Sequence, residues 1–112
     1  FPVRWNEPFG LAVIESLYFG NPVFSTPYGA LPELVLPEHG YLSNSIAELA
    51  QAVQGMKFNP QECHQWAVSK FNHVAMARGY LEKYQRILDG EIMNASQPVL
   101  KENGHQLLPW NA

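Results

Sequence analysis

Two carboxylates, Glu7 and Glu15, bracket a short apolar segment that opens on Pro8-Phe9-Gly10 and runs through Leu11, Ala12, Val13 and Ile14. Pro8 pushes Glu7 toward an extended backbone, and Gly10 lets the chain come close to whatever lies in front of it. From Gly10 to Phe19 the pattern predicts a helix of about ten residues, about 15 Å long. Its first N–H groups, from Phe9 to Ala12, have no acceptor within the helix and stand at the positive end of the peptide dipole. An anion such as phosphate is welcome there. Glu7 just before the helix and Glu15 on its second turn can flank that anion, and carboxylates accept the hydrogen bonds that ribose and hexose hydroxyls donate.

The surrounding elements must deliver this turn to a ligand. Phe1 to Arg4 reads as the end of a strand whose carboxyl end carries Glu7, the edge at which open α/β sheets bind ligands. Leu11, Val13, Ile14, Leu17 and Tyr18 are spread around the helix and imply burial on most of its sides. Gly20 ends that helix, and Val23-Phe24-Ser25 is a short continuous strand of the kind found in a covered parallel sheet. A loop from Pro27 to Pro32 follows on the ligand side, with Tyr28 placed either to line a pocket or to pack. Pro32 to Val35 reads as one helical turn and Tyr41-Leu42 as a short edge strand. Ser43 to Ser45 caps a helix through Val53, and Asn59-Pro60 opens another through Lys70 with Cys63, Trp66 and Ala67 on one face. The last helix, from His73 to Leu88, carries Val74, Ala77, Leu81, Tyr84 and Leu88. The fold class is α/β, a short parallel sheet flanked by helices and ending in C-terminal helices. Residues 1–90 form the domain; 91–112 lack periodicity and read as an extended or flexible tail in which Leu107, Leu108 and Trp110 can dock.

Composition narrows the classes. Of 112 residues 46% are hydrophobic and 12% aromatic, which suits a packed core rather than a disordered chain. Net charge is −3 and the seven basic residues are scattered, so no basic stripe supports nucleic-acid binding. The single cysteine, Cys63, has no internal disulfide partner and no metal-ligand spacing to a histidine, which fits a reducing, cytoplasmic setting. No metal and no cofactor are expected. The sequon Asn94-Ala95-Ser96 is a chance match in such a setting.

The run Pro2-Val3-Arg4-Trp5-Asn6-Glu7-Pro8-Phe9-Gly10-Leu11, with Glu15, Gly20-Asn21-Pro22-Val23 and Gly29-Ala30-Leu31-Pro32-Glu33, resembles the donor-site segment of retaining GT-B glycosyltransferases of glycosyltransferase family 4 (group 1). The likeness covers about the first four fifths of the chain. It implies the C-terminal half of a Rossmann-like nucleotide-sugar-binding domain in a hexosyltransferase that uses a nucleotide-diphosphate sugar as donor. Glu7 would then be the catalytic candidate, holding donor-sugar hydroxyls rather than attacking. Backbone groups at Phe9, Gly10 and Leu11 would meet the sugar and diphosphate, and Glu15 the nucleotide ribose. Arg4 is a candidate for the phosphates and Tyr28 for the pocket wall. Many members carry two glycines where this chain has Gly29-Ala30, which leaves a ligand contact at Ala30 open.

By the same resemblance an N-terminal domain that would supply the acceptor site lies outside these residues. The chain alone is expected to be inactive and prone to self-association, with the acceptor unknown and peripheral membrane attachment left to the other half. Paired carboxylates also serve glycoside hydrolysis, but proline and a helix start suit positioning better. Two other classes stay open: a non-catalytic interaction module on the same fold, and an unrelated nucleotide-dependent enzyme such as a dehydrogenase, against which the missing Gly-x-Gly-x-x-Gly counts.

Overall fold

The computed structural model describes residues 1–99 and 107–111. Seven elements follow in order: α1 (Leu11–Tyr18), β1 (Val23–Ser25), α2 (Leu31–Leu34), β2 (Gly40–Leu42), α3 (Ile46–Gly55), α4 (Pro60–Lys70) and α5 (His73–Leu88). β1 and β2 pair in parallel with Val23 opposite Gly40, Phe24 opposite Tyr41 and Ser25 opposite Leu42. The architecture is mixed α/β, a short two-stranded parallel sheet flanked by helices, consistent with a Rossmann-like domain.

Local chemistry sets the helix starts. The Ser45 hydroxyl accepts from the Glu48 N–H, Asn59 Oδ1 accepts from the Gln61 N–H at 3.0 Å, and Asn72 Oδ1 accepts from Val74 and Ala75 at 2.9 Å each. Each polar side chain satisfies a donor that the first helical turn leaves open. Pro60, at the first position of α4, gives up an N–H that had no acceptor there.

One core binds these pieces. Val13 and Leu17 from α1 meet Leu31 and Leu34 from α2, Val23 from β1, and Cys63 and Ala67 from α4, with Val3 and Val35 completing the cluster. Leu17, Leu31 and Cys63 are fully buried; each leucine so placed stabilises the fold by about 1.5–3 kcal/mol. The Trp66 indole packs on this cluster and donates to the Leu34 carbonyl at 2.9 Å, tying α4 to the end of α2.

Two expectations need correction. Residues 1–4 are not a strand: they lie beside β1 but are held by the Phe1 amine on the Phe24 carbonyl at 3.0 Å and by the Ser25 and Thr26 hydroxyls on the Phe1 and Val3 carbonyls. Pro2 has no N–H to give to a ladder, so side chains supply the ties. Nor is α1 buried on most sides. Only Val13 and Leu17 are buried, whereas Leu11 is 69% exposed and the adjoining Phe19 76%. α2, β1 and α4 all pack against one face, and no described element covers the other.

Candidate donor site

The Glu7 turn and the loop after β1 are built against each other. Ala30 donates its N–H to the Glu7 carbonyl at 2.8 Å, so the backbone group whose ligand contact was open is used within the protein. Gly29 makes this approach possible: its φ is +65°, and a Cβ there would lie 2.3 Å from both the nitrogen and the oxygen of Glu7. A side chain at this position would drive the loops apart. The Glu7 carboxylate is fixed as well, since Oε2 accepts from the Trp5 indole N–H at 3.0 Å. Sequence reasoning gave Trp5 no role. The signal available was an indole two residues from a carboxylate in an extended turn, where side chains i and i+2 share a side.

Gly10 sits at the start of α1 in a left-handed conformation, φ 91° and ψ 59°. Its carbonyl accepts from Val13 and Ile14, at 3.0 and 3.3 Å. No side chain caps this helix and no acidic residue occupies its first turn. The N–H groups of Leu11 and Ala12 therefore have no intrahelical acceptor, and no carboxylate on that turn offsets the dipole. Glu7 stands next to this bare end, its Cγ 3.6 Å from where a Cβ on Gly10 would be.

Phe9 is half-exposed and meets the Phe71 ring edge-on at a centroid distance of 6.2 Å; Phe71 meets Trp66 at 6.0 Å, and Trp66 stacks on His39 at 5.0 Å. This aromatic chain runs from the Glu7 turn past the C-terminal end of α4 to His39, just before β2. Glu15 is exposed and lines a groove of about 280 Å³ with Ile14, Tyr18, Phe19, Phe71 and Asn72. Phe71 thus borders both the Phe9 turn and the Glu15 groove.

A sequence model of the family described as "Glycosyl transferases group 1" matches residues 1–71. The chain belongs to this family. The matched span holds Glu7, Gly10, Glu15, the Gly29 loop and α4 through Phe71, and it leaves out α5 and the C-terminal segment. No curated protein matches the chain. In this group 1 glycosyl transferase the two remaining candidates are already engaged by the last described residues. Arg4 Nε donates to the Leu108 carbonyl at 3.0 Å, and the Tyr28 hydroxyl donates to the Pro109 carbonyl. No helix among the described residues is long and apolar enough to cross a membrane.

Proposed function

We propose that these residues bind the donor of a retaining glycosyl transfer of the GT-B type, a hexose carried on a nucleoside diphosphate. The bare N-terminus of α1, opened by left-handed Gly10 beside an oriented Glu7, carries the proposal. As the anomeric carbon loses its leaving group, negative charge grows on the departing diphosphate. The unpartnered N–H groups at Leu11 and Ala12 and the helix dipole act on that charge in place, with little reorganisation. The backbone at Phe9, Gly10 and Leu11 approaches the diphosphate and sugar. Glu7, one oxygen held by Trp5, offers the other to donor hydroxyls. Glu15, exposed in its groove, takes the ribose hydroxyls. Cys63, a free thiol buried between helices, suits a reducing cytoplasmic setting.

The test is a calorimetric titration of the intact protein that carries these residues with uridine, guanosine and adenosine diphosphates. One of them binds, and Glu15→Ala weakens it by about 1–3 kcal/mol, the scale for losing hydrogen bonds to a charged group. Unchanged affinity in a folded variant removes Glu15 from the site. A folded parent that binds none of the three brings the non-catalytic interaction module forward.

A further inference from the structure

Leu107–Asn111 crosses the ends of three neighbouring stretches of chain. Leu108 donates its N–H to the Arg4 carbonyl at 2.9 Å, and Arg4 Nε returns a bond to the Leu108 carbonyl at 3.0 Å. Next, the Pro109 carbonyl accepts from the Tyr28 hydroxyl. Beyond β2, the Asn111 N–H reaches the Asn44 carbonyl at 2.7 Å and its carbonyl accepts from the Ile46 N–H at 2.9 Å. Arg4 leads directly into Trp5-Asn6-Glu7, and Tyr28 directly into Gly29. The segment is therefore bonded to the base of both loops that meet at the Glu7 carbonyl.

We propose that Leu108–Asn111 is a strap that holds the Glu7 turn and the Gly29 loop in one relative position, and so acts as a positioning element for the donor pocket; the pocket itself rests on the donor-site reading above. The Gly29 loop follows the carboxyl end of β1 and the Glu7 turn is bonded against it, and preorganisation of such loops lowers the ordering cost of binding. Hydrogen bonds rather than burial hold the strap. Leu107, Pro109 and Asn111 are exposed, and only Leu108 and Trp110 are half-buried. A segment of this kind opens at low cost without unfolding the core.

Hydrogen exchange on the intact protein separates these effects. The Leu108 amide reports the strap, the Ala30 amide the contact between the loops, and the Leu17 amide the core. Asn111→Pro removes the far N–H bond without touching either loop, and deletion of residues 107–112 removes the whole strap. Each variant should expose the Leu108 amide, where it is still present, speed exchange at Ala30 about tenfold and leave Leu17 protected. Affinity for the nucleoside diphosphate that binds the parent should fall about tenfold. Full protection at Ala30 after deletion overturns the proposal. So does loss of Leu17 protection in both variants, which would make the segment part of the general core. Faster exchange at Ala30 in a protein that binds no nucleoside diphosphate keeps the strap and rejects the donor site.

Discussion

In the proposed donor site Glu7 needs support, because a carboxylate in a half-exposed turn samples several orientations unless something holds it. The Trp5 indole N–H is that hold, at 3.0 Å from one carboxylate oxygen. Trp5→Phe keeps the ring and deletes only the donor, so kcat/KM for the donor in the intact enzyme should fall by the equivalent of about 1 kcal/mol, roughly fivefold. An unchanged value would mean that Glu7 is oriented without Trp5. Cys63 shows a different kind of control. It is fully buried, and burial, aided by the neighbouring Glu62 charge, pushes its thiol above the ordinary range. A raised folded pKa means that the folded state holds the proton longer than the unfolded one. This stability is complete below the unfolded thiol's value and is lost as pH rises through the folded value. Urea unfolding between neutral and alkaline pH should therefore cost the wild type more stability than Cys63→Ala. Parallel curves would show no differential ionisation.

Among elements, the one that decides the site is a loop. The φ of +65° at Gly29 and the 2.3 Å approach to Glu7 leave no room for a methyl group, so Gly29→Ala should destabilise the protein by about 1–3 kcal/mol and, on the proposed function, lower donor affinity with it. Gly79 is the contrast: it lies within α5, and nothing stands within 4 Å of a Cβ placed there. Gly79→Ala should raise stability by about 0.5–1 kcal/mol through backbone entropy alone. Thermal melts of the two variants check both signs. The same contrast explains what was legible in the sequence. The bounds of α4 and α5 follow from Asn59-Pro60 and Asn72, whose caps are local chemistry, and β1 follows from a short strand-like run directly after Asn21-Pro22. The partner of Ala30 and the burial of α1 do not follow. Both depend on which distant segment lies alongside, and no local preference encodes that. Pro2 was the readable exception: a residue without an N–H argued against a ladder strand at the start of the chain.

At the scale of the molecule, the radius of gyration is 16.8 Å, against about 13 Å for a compact chain of this length. α5 accounts for part of the difference. It is well capped and spans 16 residues, yet none of them is buried, so it draws little stability from packing. Leu81 is 65% exposed, Leu88 80%, and Tyr80, Tyr84 and Ile87 more than half. Leu81, Tyr84 and Leu88 recur at helical spacing and make an apolar stripe, while Leu11 and Phe19 at α1 add further exposed apolar surface. Covering each leucine would gain about 1.5–3 kcal/mol, enough for a few such contacts to offset the cost of association. The 112-residue chain should self-associate, with a weight-average mass in sedimentation equilibrium that rises with concentration. Leu81→Glu with Leu88→Glu places charge on the α5 stripe and leaves the buried cluster untouched, so it should shift that mass toward the monomer without lowering the melting temperature. A wild-type mass that stays monomeric up to hundreds of micromolar would show that both surfaces tolerate water. A double variant that associates as before would move the contact from α5 to the exposed face of α1.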